Sequence, residues 1–76
     1  FTFTIVLNDR PNILMEIVNL IGNHKINITS LNSYEVKKDG DKVMKVKISI
    51  EIKGKTEYDY LINNILKLKD VIAVER

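Results

Sequence analysis

Cysteine and tryptophan are absent from these 76 residues, which hold one proline, one histidine and three glycines. Without cysteine there is no disulfide framework and no thiolate zinc site, so stability must come from burial alone. One histidine leaves little for acid–base work, and no nucleophile stands beside a base in the sequence. No glycine-rich phosphate loop is present. No apolar run approaches the roughly 20 residues that span a bilayer, and no export signal is present in these residues. These absences predict a cytoplasmic, membrane-free domain that is not itself an enzyme and carries no metal or cofactor.

What is present fits one small domain, residues 1–76, with room for no second. Hydrophobic residues make up 45%, an ordinary share, and nothing is low in complexity. The net charge is only +2 but is unevenly spread. Residues 37 to 55 hold seven lysines against three acidic residues, while the rest holds five basic against seven acidic. Lysines on a strand commonly guard a sheet edge or a solvated face; the other reading is contact with an anionic partner through Lys45 and Lys47. The chain opens directly into a strand pattern at Phe1 and stops after an apolar run at Arg76, which reads as the C-terminal piece of a longer enzyme.

Phe1, Phe3, Ile5 and Leu7 alternate with Thr2, Thr4 and Val6, the period of a strand with one buried face. From Asn12 to His24 the period lengthens: Leu14, Ile17, Val18 and Ile21 share a helix face, widened by Ile13 and Leu20. A second strand runs from Ile26 to about Val36, its alternation slipping near Ser30 and Leu31 as at a bulge. Asp39-Gly40 is a strong hairpin signal. Met44, Val46, Ile48, Ile50 and Ile52 then form one face of a third strand, with Val43, Lys45, Lys47, Ser49 and Glu51 opposite. Thr56 is suited to cap a second helix, whose inward stripe is Leu61, Ile62, Ile65 and Leu68. Val71 to Glu75 supplies a last short strand.

This order predicts an α+β, ferredoxin-like βαββαβ sandwich: a four-stranded antiparallel sheet with two helices on one face. That arrangement serves many functions, so the site must decide. Metal carriers of this shape need a cysteine pair in the first loop, which is missing. Acylphosphatases cradle phosphate on loop amides, one of which Pro11 removes. Base-stacking RNA domains place aromatics on the open face, and the third strand offers none there. Any nucleic-acid contact is therefore expected to be electrostatic, salt-dependent and blind to sequence.

The stretch "NDRPNIL", residues 8 to 14, carries the remaining signal. Pro11 suits a first helical turn, and Asp9 or Asn8 could accept from the free amides there. Arg10 and Asn12 have no such duty and are expected to be exposed contact residues of little weight in folding. "DRPNIL", then "INITSLNSYE", the lysine-studded strand and "VIAVER" together resemble an ACT domain, the small sensing module attached to enzymes of amino-acid metabolism. The family's first turn commonly reads Asp-Arg-Pro-Gly and its second strand opens with Asn-Ile, matched by Asp9, Arg10, Pro11, Asn27 and Ile28. Within the family the likeness is greatest to the C-terminal ACT domain of RelA/SpoT-type guanosine tetra- and pentaphosphate synthetase/hydrolases.

The resemblance implies a regulatory role, with Asp9, Arg10, Pro11, Asn12, Asn27 and Ile28 meeting a ligand or partner. It implies a parent GTP pyrophosphokinase that uses ATP, GTP and a divalent metal in other domains, with the ribosome and uncharged tRNA as inputs. It also implies homodimers joined through sheet edges, where the short fourth strand is poorly guarded. Asn12 stands where the family has glycine, which in amino-acid-binding relatives lets the ligand approach the backbone. Two other readings stay open: an amino-acid sensor of a biosynthetic enzyme, and a module that only dimerises.

Overall fold

A computed structural model describes residues 1–38 and 40–76. The elements follow in the order β1 (Thr2–Leu7), α1 (Ile13–Asn23), β2 (Asn27–Lys38), β3 (Asp41–Glu51), α2 (Lys55–Leu66) and β4 (Val71–Glu75). They form one antiparallel sheet, ordered β2-β3-β1-β4, so β2 and β4 are its edges. One sheet face contributes Phe3, Ile5, Leu7, Val46, Ile48 and Ile50 to a core closed by Ile13, Ile17 and Ile21 of α1 and Tyr58, Leu61, Ile62 and Ile65 of α2. Both helices thus cover the same face, and the fold is the ferredoxin-like sandwich. Its other face is open.

The details depart from the sequence pattern where long-range packing decides. In α1 the fully buried stripe is Ile13, Ile17 and Ile21, while Val18 is 37% exposed and Leu14 half-buried. The helix is rotated about one position from the expected face, because its apolar arc is wider than the sheet surface it covers. α1 ends in a Schellman-type turn: Ile26 N–H donates to Ile21 O and Lys25 N–H to Gly22 O. Lys25 takes the left-handed conformation there, at φ 58°.

Thr56 does not cap α2. The helix starts two residues earlier than such a cap implies, at Lys55, with Gly54 at the N-cap and no side-chain cap bond. Tyr58, absent from the expected stripe, is buried; Phe1 stacks on it at 4.5 Å and the Arg76 guanidinium lies 5.5 Å from its ring centre. The β2 irregularity falls between Ile28 and Ser30, close to the expected slip. Gly40 has φ 84°, as a tight hairpin requires, and Asp39 lies outside the described residues. The β2–β3 ladder continues past the Leu7↔Met44 pair, carrying the arm of the hairpin beyond β1.

The rotation of α1 separates two substitutions that the sequence pattern treats alike. Ile17→Ala should lower unfolding free energy by about 2–5 kcal/mol in urea titrations, as a buried large-to-small change does. Val18→Ala should stay within about 0.5 kcal/mol.

Candidate functional site: the first turn and its arginine clasp

The turn between β1 and α1 is built by backbone bonds before any side chain acts. Asn8 N–H donates to Asp70 O at 2.8 Å, and Ile13 N–H to Arg10 O at 3.3 Å. Asn12 is the N-cap of α1, left-handed at φ 69° and ψ 3°, with no side-chain cap bond. Asp9 and Asn8 are exposed and do not cap the helix, and Pro11 stands one residue before the N-cap instead of inside the first turn. The left-handed N-cap suits asparagine, which enters that region more readily than other side chains.

Arg10 is not a free contact residue. It is half-buried, and its Nε donates to Asp70 Oδ2 at 2.6 Å. Nη1 pairs with Glu16 in the first turn of α1, and Nη2 donates to Lys69 O at 3.3 Å. One guanidinium therefore joins the first turn, the start of α1 and the turn between α2 and β4. Asp70 is itself left-handed, at φ 72°, so a strained residue stands at each of the two turns that Arg10 ties together. The hydrogen bond from Arg10 holds the Glu16 carboxyl below the usual carboxylate range, and the same bond raises the Arg10 pKa.

An open cavity of about 540 Å³ lies over this turn, lined by Asp9, Arg10, Pro11, Asn12, Ile13, Leu14 and Met44. The expected residues Asp9 to Asn12 are together there. Asn27 and Ile28 are not: Asn27 pairs with Glu51, while the cavity opens beside Met44. Seven residues of β3 separate those positions, roughly 24 Å at the rise of an antiparallel strand. Ile28 is half-buried against the core and Asn27 exposed. Ile13, Leu14 and Met44 were missed as cavity residues, and Glu16 and Asp70 as the arginine's partners. Asp70 lies 60 residues away in sequence, beyond any local pattern.

The arrangement offers a ligand an apolar floor and a polar rim. The one cation in the lining already meets two carboxylates, so it presents little net attraction to an incoming carboxylate. Among the described residues no group of His, Cys, Asp or Glu is placed to hold a metal, and no helix is long and apolar enough to cross a membrane. Lys45 and Lys47 lie on the open sheet face, away from this cavity. Lys45 reaches Glu75 at 3.3 Å, and Lys47 is exposed opposite Thr4 and Asn32.

The family model of the ACT domain matches the whole chain, residues 1–76, and the chain belongs to that family. It is a regulatory domain and not a catalytic one. No curated protein matches it in sequence. In structure it is similar to the ACT domain from the GTP pyrophosphokinase of Chlorobium tepidum: TM-score 0.77, 24% identity, covering 99% of this chain and 92% of that one. It is also similar to the small subunit of acetolactate synthase from Thermotoga maritima (TM-score 0.81, 20% identity, 96% of this chain and 44% of that one). A homoserine dehydrogenase from Thiobacillus denitrificans shares the fold at TM-score 0.63 and 17% identity, over 99% of this chain and 16% of that one. At these identities the likenesses establish the fold.

Two outcomes check the clasp. Arg10→Ala should lower the melting temperature clearly more than Asp9→Ala, since Arg10 is bonded to both adjoining segments and Asp9 is exposed. The Glu16 contribution has a defined pH dependence. With a folded pKa below the unfolded one, it is complete above the unfolded carboxylate value of about 4.3 and is lost as pH falls through the lowered value. The stability gap between the parent chain and Glu16→Gln should therefore be constant near neutrality and shrink below about pH 4 in thermal melts.

Proposed function

We propose that this chain is the regulatory ACT domain of a cytoplasmic enzyme that makes or degrades guanosine tetra- and pentaphosphate, and that its first turn docks a partner domain. The parent would carry out pyrophosphate transfer and hydrolysis in other domains, with ATP, GTP and a divalent metal, under inputs from the ribosome and tRNA. The observation that carries the docking role is the satisfied state of Arg10. Its bonds to Glu16 and Asp70 remove the cation that an amino-acid carboxylate would seek, and Asn12 adds a side chain to the mouth of the cavity. The remaining surface, Pro11, Leu14 and Met44 under the polar rim of Asp9 and Asn12, suits a protein contact. The likeness to the GTP pyrophosphokinase domain, which this chain nearly matches in extent, supports the choice of parent.

The edge strands favour a second, compatible reading as a homodimer. A copy pairing antiparallel along β2 would carry its Asn27 and Ile28 towards the end of the sheet where the first-turn cavity opens, since Asn27 and Val36 stand near opposite ends of that strand. β4, with no proline and only a terminal acidic residue, is the other available edge.

Three measurements test these readings. Thermal melts of the chain with each of the twenty amino acids should show no saturable shift. A specific ligand at 100 times its Kd would add about 2.7 kcal/mol, and finding one would favour the amino-acid sensor of a biosynthetic enzyme. In the full-length parent, Asp9→Arg should alter guanosine tetraphosphate levels without changing the melting temperature; unchanged levels would remove the docking role. Sedimentation at millimolar concentration should show dimers, and a strict monomer would exclude edge pairing by this chain alone.

A further inference from the structure

The strand register arranges the open sheet face in cross-strand rows. Tyr34, Lys45, Val6 and Ala73 form one row across all four strands. Asn32, Lys47, Thr4 and Glu75 form the next, and Ser30, Ser49 and Thr2 the one after. The third strand alone shows no aromatic on this face, but β2 brings one beside its lysines. Tyr34 is 46% exposed. Phe1 stacks on Tyr58, Phe3 meets Tyr58 edge-on and Tyr60 packs against His24, so among the described residues Tyr34 is the ring with no aromatic or cationic partner.

The charges around that ring are unevenly used. Glu75, the carboxylate in these rows, is already paired with Lys45, and Lys47 has no ion-pair partner among the described residues. The pair to Glu75 is exposed and of little strength, so a phosphate could exchange into it at small cost. An exposed ring, an amide beside it and two lysines one row apart match the three parts of an unpaired nucleotide: a base face, a base edge and a phosphate.

We propose that the open sheet face is a contact surface for single-stranded nucleic acid. One base stacks on Tyr34, Asn32 hydrogen-bonds its edge, and the neighbouring phosphates meet Lys47 and Lys45. A duplex is the wrong partner, because its bases are stacked on one another and cannot reach a ring on a flat sheet. This surface lies on the face opposite the helices, so the proposal stands independently of the first turn and of the parent's identity.

The test is a fluorescence-anisotropy titration of a labelled ten-nucleotide RNA without self-complementarity against the 76-residue chain at low salt. Single strands should bind and a duplex of equal length should bind more weakly. Tyr34→Ala should weaken single-strand binding about tenfold, equal to about 1.4 kcal/mol, and Tyr34→Phe should retain it. Lys47→Ala should reduce the slope of log affinity against log salt by about 0.7, the share of one phosphate on a single strand. Circular dichroism should show both Tyr34 variants folded, since the ring is exposed. Absence of binding at millimolar protein, tighter binding of the duplex, or a folded Tyr34→Ala chain that binds as well as the parent would each overturn the proposal.

Discussion

Arg10 determines the shape of the first turn of this domain. A strand-to-helix turn of Asn8, Asp9, Arg10, Pro11 and Asn12 has few backbone bonds of its own and no side-chain cap on the helix that follows. The guanidinium supplies what is missing by holding Glu16 on one side and Asp70 on the other. It also keeps two left-handed residues, Asn12 and Asp70, in conformations that side chains seldom adopt unless their surroundings impose them. The cavity over the turn exists because that clasp holds its walls.

The clasp in turn depends on the core. β1 sits at the centre of the sheet beside β3 and β4, and its inward residues Phe3, Ile5 and Leu7 are fully buried beneath both helices. Packing of Ile62 and Ile65 against that face sets where α2 ends, and so where Asp70 meets Arg10. A domain of this size has little stability to spare, with no cross-link to add any. Its first turn, sheet edges and open face are therefore arranged around a core that cannot shift far without loss of the fold.

Those surfaces lie apart from one another. The first-turn cavity opens at one end of the sheet on the helix side, the β2 and β4 edges flank the sheet, and the Tyr34 rows occupy its open face. Separate faces leave room for the partner domain, the second copy and the nucleic acid proposed above to be met at once, and the coupling energies typical of allosteric linkage are modest.

Much of this was legible in the chain. Period-two alternation located β1 and β3, the longer period located α1 and α2, and the order of elements implied the sheet, because each signal lies within a few neighbouring residues. Asp9, Arg10, Pro11 and Asn12 marked the turn that became the cavity. What local pattern could not supply was the partner of each group. Arg10 read as a free contact residue because Asp70, one of the two carboxylates it meets, is 60 residues away. The face of α1 was off by about one position because an apolar arc this wide leaves the exact angle to the sheet beneath it. Asn27 read as a neighbour of the first turn and lies at the far end of the sheet, since strand direction is a property of pairing. Tyr34 met Lys45 through register alone, a relation between two strands that neither strand carries by itself.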